Sequence, residues 1–211
     1  MEILLNKLTK KDVIKLELSP KLYHYFVRPK WFTEKYIENK LKFILADYNF
    51  TNKSILDFGC GIGSNSIMFN PKDYLGVDYD KKRINYAKKM FYPYNFNSFD
   101  GVNLPASSNS IDYIIIIAVL HHINKDDITN YLNEFRRVLK PTGEIIIIEP
   151  CFFKDSQLSN FAMKFFDKGR FIRSKEEYVK IFKDDTWQIK SLKRFKKCIV
   201  YNEIFFSVAL N

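Results

Sequence analysis

The sequence predicts an α/β chain built on a doubly wound, seven-stranded and mostly parallel sheet, with helices placed before it and inserted within it. Three observations point there. Short apolar runs alternate with helical stretches between residues 54 and 150, the pattern of parallel strands joined by crossover helices. One of these runs, IDYIIIIAVL (111–120), is apolar on both faces, as a strand covered on both faces must be. The stretch after residue 186 departs from the alternation and reads as two strands joined by a tight turn.

The elements follow in order. SILDF (54–58) is a short apolar run that ends in glycines, and a short helix is expected from about Ser64 to Phe69, closed by Asn70-Pro71. YLGVD (74–78) is the second strand. Lys81 to Met90 reads as a helix with Ile84, Ala87 and Lys88 on one side, and Asn95 to Phe99 as the third strand. After the apolar run at 111–120, Asp126 to Leu139 is helical, with Ile128, Leu132, Phe135 and Leu139 on one stripe. Lys140-Pro141-Thr142-Gly143 is a stop signal, and EIIIIEP (144–150) is the fifth strand. Helical pieces are expected near 156–167 and 174–183, the second opened by a capping box from Ser174 to Glu177. Strands at 187–197 and 199–210 complete the sheet. Ahead of the core, residues 10–48 read as helical, divided by Pro20 and Pro29. The expected organisation is one domain over 1–211: a helical cap (1–53), a core (54–150), a helical insert (151–185) and terminal strands (186–211).

Composition bounds the class. A hydrophobic content of 46% and a charged content of 27% are those of an ordinary globular chain. The longest apolar run, Tyr113 to Leu120, is too short to span a bilayer, and MEILLNKLTKKDV lacks the pattern of a secretory leader, so a cytoplasmic location is expected. Cys60, Cys151 and Cys198 lie far apart and suggest neither a disulfide framework nor a metal site. The net charge of +10 is unevenly placed: residues 54–150 carry a net of −1, whereas 1–53 carry +5 and 151–211 carry +6. A basic flank suits a nucleic acid, an anionic lipid surface or an acidic small molecule, although 27 of the 34 cations are Lys, which is also what a Lys-biased composition would give.

Three strand ends carry chemistry. Asp57-Phe58-Gly59-Cys60-Gly61-Ile62-Gly63 follows the first strand. Its glycines permit a sharp turn and close approach of backbone to a ligand, and its amides together with the next helix start favour a nearby negative charge. Alone, it reads equally as a tight strand-to-helix turn or a nicotinamide-dinucleotide site. Asp78 ends the second strand, where a carboxylate can accept from both hydroxyls of a ribose; the competing role is capping the helix at 81–90, which Asp80 can fill instead. Asp100-Gly101 follows the third strand, where a carboxylate can meet an adenine amino group or simply make a turn. Three such ends in series place a ligand at the carboxyl ends of the strands.

ILDFGCGIGSN (55–65), YLGVDYD (74–80), LPASSNSIDYIIIIAVLHHI (104–123) and EFRRVLKPTGEIIIIEP (134–150) together resemble the successive motifs of class I S-adenosylmethionine-dependent methyltransferases, most nearly the UbiE-like or type 11 group. The resemblance implies a Rossmann-like class I methyltransferase fold with S-adenosyl-L-methionine as cofactor. It implies that Asp57 and the backbone of Gly59, Cys60, Gly61 and Gly63 hold the methionine end. Asp78 would hold the ribose, with Tyr79 beside the adenine, Asp100 and Gly101 at the adenine edge, and Ala118 near the methionine amino group. The chain departs from the family where few residues separate Gly63 from the second strand.

His121 and His122 follow the fourth strand, where the reactive methyl group should point; a His there can take a proton from a hydroxyl or amine, or merely bond the loop. Tyr23, Tyr25, Phe26, Arg28 and Trp31 form an aromatic cluster with one cation that can wall an acceptor pocket or pack a helix on the sheet. Arg170 and Arg173 lie where acceptor-specific insertions sit in related enzymes and can hold a carboxylate or phosphate, or be solvated loop cations. Pro150-Cys151 does not read as a nucleophile, because nothing in the sequence places an activating partner beside the thiol. The expected acceptor is a small or lipid-like molecule, amphipathic or anionic. An RNA methyltransferase is favoured by the basic flanks and disfavoured by the absence of an Asn/Asp-Pro-Pro-aromatic motif after the fourth strand. A non-catalytic cofactor-binding subunit is disfavoured by the complete motifs.

Overall fold

The computed structural model describes residues 41, 44–166, 171–198 and 201–211. The aromatic cluster of Tyr23, Tyr25, Phe26, Arg28 and Trp31, and Arg170, lie outside the described residues.

Four short strands form the parallel part of the sheet: β1 (Ile55–Phe58), β2 (Tyr74–Asp78), β3 (Asn95–Ser98) and β4 (Ile111–Ile117). They are joined by β5 (Leu139–Phe152), and β7 (Trp187–Cys198) and β8 (Tyr201–Leu210) close the sheet as an antiparallel pair. The spatial order is β3-β2-β1-β4-β5-β8-β7. The order reverses at β1, which has β2 on one side and β4 on the other, and the crevice at such a reversal is where ligands of open α/β sheets bind.

The isoleucines of β4 explain its place. Ile114 and Ile116 face one layer, Ile115 and Ile117 the other, and all four are buried. On the first face lie α2 (Lys125–Val138), through Ile128, Leu132, Phe135 and Val138, and α4 (Lys175–Ile181), through Tyr178. On the second lie α1 (Lys81–Met90), through Ile84 and Ala87, and the segment carrying Leu41, Ile44 and Leu45. The caps are those read from the sequence: Asp80 accepts from the Lys82 and Arg83 amides at the start of α1, and Ser174 with Glu177 forms the capping box of α4.

Four elements differ from expectation. The helix expected over 64–69 is a 3-10 turn at Ser66–Met68, followed by another at Pro71–Asp73, because the connection to β2 is short and Pro71 forbids continuation. The fourth strand stops at Ile117 rather than residue 120: Ala118 takes φ +57, which ends the ladder, and Leu120–His122 coil into a 3-10 turn. Lys140-Pro141-Thr142-Gly143, read as a helix stop signal, lies within β5, which begins at Leu139, and a register shift against β4 between Ile111 and Tyr113 accommodates it. Finally, Arg173–Ser174 adds a two-residue strand, β6, parallel to Cys151–Phe152, so the sheet has eight strands rather than seven. The helical insert begins with α3 (Gln157–Phe166).

Candidate active site

The glycine loop is strapped to β2. The Gly59 and Cys60 amides both donate to the Val77 carbonyl, at 2.8 and 3.0 Å, the Gly61 amide donates to Asp78 Oδ2 at 2.9 Å, and the Gly63 amide donates to the Cys60 carbonyl at 2.9 Å. These amides therefore serve the loop's own fold, and only a 3-10 turn follows them, not a helix N-terminus. That corrects the expectation of an anion cradle, which needs free amides and a helix start. A pyrophosphate is poorly served here, and the dinucleotide alternative loses its physical basis.

The glycines have different reasons to be glycine. All three of Gly59, Gly61 and Gly63 have positive φ. A Cβ on Gly59 would lie 2.6 Å from Val119 Cγ2, and one on Gly63 would lie 2.7 Å from the Phe96 ring, so these two permit close packing. A Cβ on Gly61 would meet nothing within 4 Å. Gly61 borders open space, and Tyr79 and Val102, which follow the second and third strands, are 73% and 64% exposed. An open cradle beside exposed apolar surface is what an adenosyl group fits.

The carboxylates are engaged. Asp57 is buried and accepts from the Tyr74 hydroxyl at 2.7 Å. Asp78 is buried and accepts from the Asp80 amide on Oδ1, opposite the Gly61 bond, at 2.9 Å. Burial holds its carboxyl above the usual aspartate range, outweighing the hydrogen bonds from Asp80 and Gly61 and the Arg83 charge. Each oxygen has a second acceptor direction, so a ribose diol remains compatible with these bonds. Asp100 is exposed and accepts from the Val102 and Asn103 amides at 2.8 Å each, with Gly101 at φ +86 turning the chain beside it. Ala118 donates its amide to the Ile148 carbonyl at 2.8 Å.

A buried carboxylate organises the far side of the crevice. Glu149, on β5, is 0% exposed; its Oε1 accepts from the Val119 and Leu120 amides at 2.7 Å each. Its Oε2 accepts from the His121 amide at 3.3 Å and lies 2.8 Å from His121 Nδ1. One side chain thus satisfies three successive amides of the turn after β4 and fixes the His121 ring. Sequence reasoning passed over Glu149; its signal was a lone acid closing the run Ile145–Ile148, all of it buried. His121 is buried, His122 is exposed, and their ring centroids lie 4.0 Å apart.

The insert docks on this same turn. The Phe171 amide donates to the His121 carbonyl at 2.9 Å. Arg173, considered as an anchor on the rim, is buried, and its guanidinium donates to the carbonyls of Leu120 (2.7 Å), Phe171 (3.0 Å) and Ile123 (2.7 Å). Its donors face the protein's own carbonyls because β6 turns Arg173 inward beneath the turn. Burial pushes the Cys151 thiol up to about 12, so it supplies no thiolate near neutral pH.

Residues 55–143 match the model of a methyltransferase domain family. The chain is 27% identical over 174 residues to the demethylmenaquinone methyltransferase of Oceanobacillus iheyensis, across 75% of this chain and 70% of that one. Other curated relatives align over 50% and 45% of their own length. Among solved structures, a SAM dependent methyltransferase from Aquifex aeolicus superposes with a TM-score of 0.67 at 18% identity, covering 91% of this chain and 99% of that one. Magnesium protoporphyrin IX methyltransferase from Synechocystis, solved with bound SAH, superposes with a TM-score of 0.65 at 17% identity, covering 88% and 87%. With its strand-end motifs inside the matched segment and its fold shared with these neighbours, the chain carries a methyltransferase domain, is an S-adenosylmethionine-dependent methyltransferase, and is similar to the UbiE-like group.

Proposed function

We propose that the chain methylates a small, lipid-like acceptor bound beside the His121–His122 pair. The observation that carries this reading is the seat of Phe171: its backbone is bonded to His121, on the turn that Glu149 holds, and the residue is 38% exposed. An exposed apolar residue anchored to the turn that carries the histidines suits an aromatic or hydrocarbon-bearing substrate better than a phosphodiester backbone. The likeness to a demethylmenaquinone methyltransferase supports the same choice.

In this reading Asp57 and the backbone of Gly59, Cys60, Gly61 and Gly63 border the methionine end of the cofactor, and Ala118 lies near its amino group. Asp78 and Tyr79 take the ribose and adenine, and Asp100 and Gly101 close the adenine edge. The cofactor supplies an already activated sulfonium methyl group. The protein's task is to hold acceptor and methyl carbon in line and to exclude water. Glu149 fixes the turn and the His121 ring, and the exposed His122 receives the acceptor's proton where the acceptor has one to lose.

Incubating the protein with methyl-labelled cofactor and separate lipid and RNA fractions of a cell extract should label the lipid fraction. Label in RNA alone would replace this acceptor with the polynucleotide one.

Asp78→Ala should weaken cofactor binding by about 2–3 kcal/mol in a calorimetric titration, since hydrogen bonds to a charged group run at about 1.5–3 kcal/mol. An unchanged dissociation constant would leave Asp78 as a loop anchor only. The same titration has a pH signature. Binding the diol needs the ionised carboxylate, so affinity should fall on acidification through a pKa above the ordinary 3.8. The stability term runs the other way: a carboxyl raised in the folded state favours folding below its unfolded pKa, and that contribution is lost as pH rises through the folded value.

A further inference from the structure

Three tyrosines set into this fold spend their hydroxyls on it. Tyr74 donates to Asp57 at 2.7 Å, Tyr94 to the Phe69 carbonyl at 3.1 Å and Tyr178 to the Pro150 carbonyl at 3.0 Å. Tyr131, on α2, is half-buried like Tyr94, yet its hydroxyl makes no hydrogen bond among the described residues. The ring itself is fixed. It packs on Phe58, the last residue of β1, at a centroid distance of 5.0 Å, and on Phe99 and Phe135 at 6.2 and 6.4 Å. Three aromatic neighbours hold it in place, and none carries a group that pairs with a hydroxyl.

The hydroxyl faces the turn after β3. A Cβ built on Gly101 would lie 3.9 Å from Tyr131 Oη and, apart from its chain neighbours, would meet nothing else within 4 Å. The hydroxyl thus stands across an open gap from Asp100-Gly101. Burial raises its pKa above the ordinary 10.0, and Asp127, Asp100 and Tyr79 add to the rise, so near neutral pH it carries its proton and can donate. Asp100 is the opposite case. The Asn103 and Val102 amides hold its carboxyl below the usual aspartate range, so it is ionised and only accepts. A donor and an acceptor therefore border one gap. Adenine presents the matching pair: an amino group that donates, and ring nitrogens beside it that accept.

We propose that the Tyr131 hydroxyl donates a hydrogen bond to a ring nitrogen of the cofactor's adenine, beside the amino group that Asp100 takes. The assignment rests on the reading of Asp78, Tyr79, Asp100 and Gly101 as the adenosyl side of the crevice. Asp100 alone recognises the amino group and leaves the ring unread. Tyr131 supplies the second half of the match, and it does so from α2 rather than from a strand end. Its ring is already locked by Phe58, Phe99 and Phe135, so little side-chain freedom is lost when the bond forms.

The test is titration calorimetry of the full chain with two ligands: S-adenosylhomocysteine, and 5′-methylthioadenosine, which shares the adenosyl half and lacks the amino acid. The proteins are the parent, Tyr131→Phe and Asp78→Ala. Tyr131→Phe keeps the ring and its packing, so thermal unfolding should match the parent. It should bind both ligands about three- to tenfold more weakly and by the same factor, as the loss of one hydrogen bond at the base requires. Parent-like affinity of Tyr131→Phe for both ligands, with Asp78→Ala weakened, would overturn this proposal alone. Parent-like affinity of both variants would overturn the adenosyl reading, and the proposal with it. A loss with S-adenosylhomocysteine and none with 5′-methylthioadenosine would also overturn it, because the hydroxyl would then act at the amino-acid end.

Discussion

Glu149→Ala is expected to cost about 3–5 kcal/mol of stability in urea unfolding, the usual consequence of deleting one partner of a buried charged network. The cost has a named origin. The Val119, Leu120 and His121 amides and the His121 ring all rely on this one carboxylate. Removing it costs about 1–3 kcal/mol for each of these polar groups left unsatisfied. Glu149→Gln keeps the shape and one accepting oxygen but turns an NH2 group toward donors, so a smaller loss of about 1–3 kcal/mol is expected. Turnover should fall further than cofactor affinity in the Gln variant, because the altered contacts lie on the His side of the crevice. A Glu149→Ala protein within 1 kcal/mol of the parent would show that the turn holds itself.

The second large effect separates two glycines of one loop. Gly63→Ala puts a methyl 2.7 Å from the Phe96 ring and 3.0 Å from Ala87 Cβ at φ +82, a clash with both the sheet and α1. Overpacking of about 1–3 kcal/mol adds to a left-handed backbone cost of about 1–2 kcal/mol, so this variant should fold poorly. Gly61→Ala, at φ +57 with nothing within 4 Å, carries the backbone cost alone. It should fold with a loss of about 1–2 kcal/mol, yet bind cofactor at least about tenfold more weakly, since the new methyl enters the space an adenosyl group needs. Thermal unfolding and calorimetry on the pair measure both. Parent-like cofactor affinity in Gly61→Ala would move the binding crevice elsewhere.

The alternation of apolar runs with amphipathic stretches made β1, β2, β4, α1 and α2 readable, because burial on two faces and on one leaves different periodicities. Caps were readable for the same reason: Asp80, Ser174 and Glu177 act on amides two or three residues away. What escaped depended on distant partners or on backbone angle. Nothing local in Ala118-Val119-Leu120 announces the positive φ that ends β4, and Pro141 inside β5 reads locally as a break. Arg173 looks like a loop cation until its carbonyl partners at Leu120 and Ile123 are known, fifty residues or more away in sequence. Glu149 is the instructive omission. An acid closing a run of four buried isoleucines carries a strong desolvation cost and had to have partners, but only the fold shows that they are amides of the preceding crossover.

The pairing of β5 with β8 bears on how the molecule assembles. Ile145–Ile148 is a fully buried run of four isoleucines, and one of its two ladders is made with Phe205–Val208, translated well after it. Until that second ladder forms, β5 presents a bare row of amides and carbonyls beside four isoleucines, the sort of edge that recruits strands from other chains. The hairpin of β7 and β8 therefore acts as an internal guard during biogenesis. Once it closes, the outer edge passes to β7, whose Lys190, Lys193, Arg194 and Lys196 make poor company for a neighbouring sheet.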